Sequence, residues 1–147
     1  ARAVADAAGE TWPLFSSFVG GFGAFVAGSN TISNMTFSAF QYDVALEIGA
    51  NPTWVLALQA VGGAAGNVIC VHNVVAASAV VGLVGREWAV IRKTLVVFAG
   101  YALLAGAVGY AIIWKDLHGW LNVGSVLAFA LLVAAVAVVA RGGRRTP

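Results

Sequence analysis

The sequence is poor in charge and nearly without sulfur. Lys, Arg, Asp and Glu make up only 10% of its 147 residues, and eight basic against six acidic side chains leave a net charge of +2. An ordinary soluble domain carries about 25% charged residues, so the wet surface of such a domain is missing. A single Cys excludes an internal disulfide framework, and the near balance of charge excludes a nucleic-acid binder. No nucleophile stands beside a base, and neither a carboxylate pair nor a cofactor motif occurs, so nothing points to an enzyme or a bound cofactor. What is present is apolar: 61% of the residues, with a mean hydropathy of +0.90. That excludes a disordered tail and points to lipid as the solvent.

The few charges are clustered. None falls in residues 11–42, 48–85, 94–114 or 119–140. A bilayer core of about 30 Å takes about 20 helical residues to cross, so 94–114 and 120–140 read as single transmembrane helices. Arg86, Arg92 and Lys93 precede the first of them, and Arg141, Arg144 and Arg145 follow the second. Basic flanks favour the cytoplasm, which makes 85–93 a basic cytoplasmic loop, 141–147 a basic cytoplasmic tail and 115–119 an external loop. Trp114 and Trp120 then mark the outer interface and Trp88 the inner one. Residues 1–11, with Arg2, Asp6 and Glu10, do not read as a signal peptide and are expected to be an external segment.

The two longer gaps call for broken elements. A continuous helix over 53–84 would be about 48 Å long. Its middle, GGAAGNVICVHN at 62–73, combines helix-weakening glycines with Asn67, His72 and Asn73. We read 53–84 as a broken transmembrane helix, with arms 53–66 and 73–84 and Asn73 as the cap of the second. Residues 12–49 break in the same way at GSNTISN (28–34), with the second arm starting near Ser33 or Asn34. Arms of about 15 residues are too short to span, so the segment is expected to be a re-entrant hairpin with both ends external. The second arm is amphipathic: Phe37, Phe40, Val44 and Ile48 form one stripe, and Thr36, Asp43 and Glu47 another.

Two breaks put helix N-termini, with free N–H groups and partial positive charge, at membrane depth. Discontinuous helices of this kind are the pattern of secondary transporters. The candidate anion contacts are Ser29, Asn30, Thr31 and Asn34 at the first break and Gly66, Asn67 and Asn73 at the second. The bland alternative is that these residues only cap helix ends or bond neighbouring helices. His72, the only group at the second break that titrates near neutral pH, and Asp43 are the proton-coupling candidates. Cys70 reads as a small packing residue without enough neighbours to hold a metal, and His118 as a solvated loop residue. The glycine runs at 19–23 and 61–66 lack the strand and the Gly-Lys-Ser/Thr of a phosphate loop, so they mark close helix packing or breaking.

The runs GAFVAGSNTISNMTFSAFQ (23–41) and ALQAVGGAAGNVICVHNVVAASAVVGLVGREWAVIRKTL (57–95) resemble the C-terminal part of the bacterial L-lactate permease family. The resemblance extends over about 18–109, and residues 115–147 lie outside it. The SNT triplet at 29–31 is similar to the hairpin-tip motif of a wider ion-transporter superfamily, where it helps hold carboxylates and sometimes Na⁺. The resemblance implies an all-α integral membrane fold that is one half of an inverted-repeat transporter, since that family's members are several times longer. It implies import of lactate and glycolate with protons across the bacterial inner (plasma) membrane; Na⁺ is the alternative coupling ion, since unwound carbonyls can hold it. The partners it implies are a small monocarboxylate, the lipid bilayer, and a second repeat or an oligomeric partner. The absence of Lys and Arg from 3–85 favours a monocarboxylate over a dicarboxylate. The competing readings are a carrier of another small carboxylate, or a membrane segment that does not transport without its missing repeat.

Overall fold

The computed structural model describes residues 1–142, and every regular element among them is helical. The order is α1 (Arg2–Ala8), a 3₁₀ turn (Gly9–Thr11), α2 (Trp12–Ala27), α3 (Asn30–Glu47), α4 (Pro52–Gly66), α5 (Val71–Val80), α6 (Glu87–Ile113), α7 (Lys115–His118) and α8 (Val123–Gly142). Three stretches are long and apolar enough to cross a membrane: Pro52–Val80 taken across its break, Glu87–Ile113 and Val123–Arg141.

Local chemistry explains where the helices stop. α2 ends at Gly28, whose left-handed backbone (φ 72°) turns its N–H onto the Ala24 carbonyl at 2.8 Å; glycine takes that conformation without steric cost. Ser29 opens α3, its hydroxyl accepting from the Ile32 N–H at 3.4 Å. Asn51 opens α4, its side chain accepting from the Thr53 N–H at 2.9 Å, with Pro52 in the first turn. After Gly66 the chain winds through i→i+3 bonds as far as Cys70, whose extended backbone starts α5.

α2 and α4 run parallel and touch through their backbones. A Cβ on Gly62 would strike the Ser17 carbonyl, one on Gly66 the Gly21 carbonyl, and one on Gly20 the Gln59 carbonyl. α3 runs back antiparallel to both, and α6 descends along them, placing Phe98 on Gly21 and Gly106 on Leu14. α8 packs mainly on α6, where Gly124 meets Ala107 and Ala111. The main core lies at the end where α2 and α4 begin. It joins Trp12, Val44, Val55, Tyr110 and Trp114, with Ala5 of α1 above them. The Trp114 indole N–H donates to the Glu10 carbonyl, and His118 Nε2 lies 2.9 Å from Glu10 Oε2, so the 3₁₀ turn after α1 is tied to α7 at this end.

Several expected boundaries move. The first break is confined to Gly28 and Ser29, and α3 begins at Asn30 and not near Ser33 or Asn34. The polar side chains that suggested unwinding are satisfied while α3 stays wound: Ser33 Oγ donates to the Gly20 carbonyl of α2, and Asn34 Nδ2 to Asn30 Oδ1. The second arm of the broken helix begins at Val71, and Asn73 does not cap it. Its amide reaches back and donates to the Asn67 carbonyl at 3.2 Å, serving the frayed end of α4. That arm ends at Val80, short of 84. Arg92 and Lys93 lie inside α6, which starts at Glu87, so the expected 85–93 loop is largely helix. α8 starts at Val123, because Asn122 accepts from the Ser125 N–H and caps it. Arg144 and Arg145 of the expected basic tail lie outside the described residues.

Candidate functional site at the two helix breaks

The two breaks lie side by side. A Cβ built on Gly28 would stand 3.0 Å from His72 Nδ1 and 3.5 Å from Cys70 Sγ. Near the end of α4, a Cβ on Gly63 would collide with Asn30 Oδ1, so the start of α3 lies against α4 with the Asn30 amide over this glycine. α3 and α5 therefore both begin in one small region. α5 has no side-chain cap, so the N–H groups of its first turn are left for a ligand or water. No Lys or Arg occurs between Arg2 and Arg86, so the positive character here comes from two helix ends and from amide and hydroxyl donors. An uncharged donor cluster of this kind suits a small anion.

Most of the expected site residues gather here. Ser29 and Asn30 are half-buried at the first break, and Thr31 is exposed beside them. Asn34 lies one turn along α3, hydrogen-bonded to Asn30. Gly66 is buried where α4 ends, in contact with Gly21. Asn67 follows, and its buried Oδ1 has no hydrogen-bond partner among the described residues. Asn73 and Asn67 also line a groove of about 310 Å³ that runs between α5 and the start of α6, past Ser78 and Val90. His72 is exposed on the first turn of α5, next to Gly28 and 3.7 Å from the Cys70 sulfur. Asp43 is not brought in. It lies 13 residues beyond Asn30, about 20 Å along α3, exposed beside Ala1 and Glu47.

The sequence reading passed over the polar groups behind the site. Gln41 and Gln59 are fully buried, with Ser16 and Ser33, between α2, α3 and α4. The Trp12 indole N–H and the Ser16 hydroxyl both donate to Gln41 Oε1 at 2.8 Å. Gln41 Nε2 donates to the Ser16 carbonyl at 3.1 Å and to Gln59 Oε1 at 3.0 Å. Gln59 Nε2 in turn donates to Ser33 Oγ at 3.1 Å and to Asn34 Oδ1 at 3.4 Å. One signal was available: Gln59 is the only amide side chain in α4, and an amide in an apolar helix needs a partner.

The L-lactate permease family model matches residues 1–114, from α1 to the end of α6. A Haemophilus influenzae protein assigned by name to the L-lactate permeases is 43% identical over 104 residues, covering 71% of this chain and 20% of its own length. The L-lactate permease of Escherichia coli is 33% identical over 110 residues, covering 72% of the chain and 20% of the relative. The glycolate permease of Escherichia coli is 37% identical over 87 residues, covering 59% of the chain and 16% of the relative. The chain thus spans about 20% of the length of the first two relatives. No solved structure matches it. The match takes in both helix breaks and the helices that hold them, and the chain belongs to the L-lactate permease family, a family of membrane transporters and not of enzymes.

Proposed function

We propose that this chain is the substrate-holding part of a lactate and glycolate permease that works by proton symport in the bacterial plasma membrane. The observation that carries the reading is the meeting of the two breaks, where Gly28 lies against His72 and Cys70 and the start of α3 against Gly63. The carboxylate is held by the N–H groups opening α3 and α5, together with Ser29, Asn30 and Thr31. The orphaned Asn67 Oδ1 accepts from the 2-hydroxyl that lactate and glycolate share. His72 carries the coupling proton, because it alone of the two candidates stands at the breaks. α2 and α3 form a re-entrant hairpin, and with α4–α6 they make one half of an inverted repeat. The other repeat is supplied by the part of the protein that corresponds to the remaining four-fifths of its relatives.

The test is uptake of radiolabelled L-lactate by proteoliposomes carrying the full-length permease that contains this segment, under an imposed inward proton gradient. Asn30→Ala is expected to raise KM at least tenfold. His72→Gln is expected to remove the response to the proton gradient, while Asp43→Asn keeps it. Uptake driven equally well by a sodium gradient would assign the coupling to Na⁺, and an unchanged KM in Asn30→Ala would remove the site.

A further inference from the structure

The hydrogen bonds behind the breaks have a direction. An indole N–H can only donate and a backbone carbonyl can only accept. Trp12 Nε1 therefore requires the oxygen of Gln41 to face it, and the Ser16 carbonyl requires the nitrogen of Gln41 to face α2. With Gln41 fixed in this way, its second N–H meets the oxygen of Gln59. Ser33 gives its one proton to the Gly20 carbonyl at 2.7 Å, so its oxygen can only accept from Gln59, which fixes Gln59 independently. The nitrogen of Gln59 then meets Asn34 Oδ1, and the nitrogen of Asn34 meets Asn30 Oδ1 at 3.3 Å. The last amide in the series, Asn30, is left with its oxygen turned to Asn34 and its Nδ2 without a partner among the described residues.

We infer that the series Trp12–Gln41–Gln59–Asn34 makes Asn30 present a hydrogen-bond donor at the breaks, and that Gln41 and Gln59 are positioning residues for an anionic substrate. The inference rests on the reading of the breaks as a carboxylate site and adds to it the polarity of that site. A bound carboxylate finds N–H from Asn30 as well as from the helix ends. The alternating amides also explain why so much polar surface is buried in an apolar molecule: each amide satisfies the next, so none is orphaned until Asn30.

The experiment is substrate affinity, read as stabilisation of the purified full-length permease by graded L-lactate. Asn30→Asp removes the donor and adds a negative charge, and Asn30→Leu removes the donor at similar size without a charge; both are expected to weaken binding at least tenfold. An unchanged affinity in either would overturn the donor assignment. Gln59→Met, which fills the same space without an amide, is expected to weaken binding about fivefold, in line with loss of one oriented hydrogen bond. The decisive comparison is the double variant. If Gln59 acts through Asn30, Gln59→Met should have no further effect once Asn30 is Ala. The same factor appearing in both backgrounds would overturn the positioning role while leaving the carboxylate site standing. If Asn30→Ala alone leaves affinity unchanged, the site itself fails. Where Asn30→Ala leaves no measurable affinity, or Gln59→Met does not insert, Asn34→Ala takes its place in the cycle, with the same non-additivity expected.

Discussion

At the scale of single residues, glycine does two different jobs, and substitution separates them. Gly62 faces the Ser17 backbone, so Gly62→Ala must push α2 and α4 apart; overpacking of this kind costs about 1–3 kcal/mol. Gly100 is in the middle of α6 with open space where a Cβ would go, and Gly100→Ala should stabilise by about 0.5–1 kcal/mol. Melting of the purified full-length protein in detergent should therefore move down for the first and up for the second. The residue types at the breaks were legible because Asn, Ser and His stand out in an apolar run. Their directions were not. Asn73 looks like the cap of the helix that follows it, yet its amide turns to the carbonyl of Asn67 behind it, a choice made by the i→i+3 winding after Gly66. Gln41 was hidden for the opposite reason. It sits in an amphipathic helix where a polar residue reads as surface, and only the arrival of α2 and α4 buries it.

At the scale of elements, the breaks follow from short signals, but their extent follows from packing. The expected unwound stretch at 28–34 shrinks to two residues because Ser33 and Asn34 find partners on α2 and α4. Weak helix propensity gives way to such contacts. The two serines near that break should therefore respond differently. Ser29→Ala removes an end cap and should cost about 1 kcal/mol. Ser33→Ala should cost more, about 1–3 kcal/mol, because it takes a buried acceptor from Gln59 and a donor from the Gly20 carbonyl. Thermal denaturation of the two variants side by side checks the order, and Ser33→Ala should also weaken L-lactate binding. The pair between Glu10 and His118 is partly exposed on both sides, so Glu10→Gln should change stability by less than about 1 kcal/mol.

At the scale of the whole molecule, burial is uneven. The most apolar stretch of Pro52–Val80 is 44% buried, whereas that of Val123–Arg141 is 11% buried and packs mainly on α6. α8 also lies beyond the family match, which ends at residue 114. Deleting residues 119–147 from the full-length protein should leave L-lactate affinity unchanged while lowering the melting temperature, because it uncovers one side of α6 and nothing at the breaks. The glycine contacts between α2 and α4 carry a mechanical consequence. Where glycine brings the two backbones together there is little to slide over, and Ser16 and Gln59 are locked in beside them, so the pair behaves as one plank with α3 keyed to it by the buried glutamines. If the protein works as the carrier proposed above, facing first one side of the membrane and then the other, it should flex elsewhere, at the seam between this plank and the rest of the protein. The substrate would then ride through the stroke in an unchanging grip.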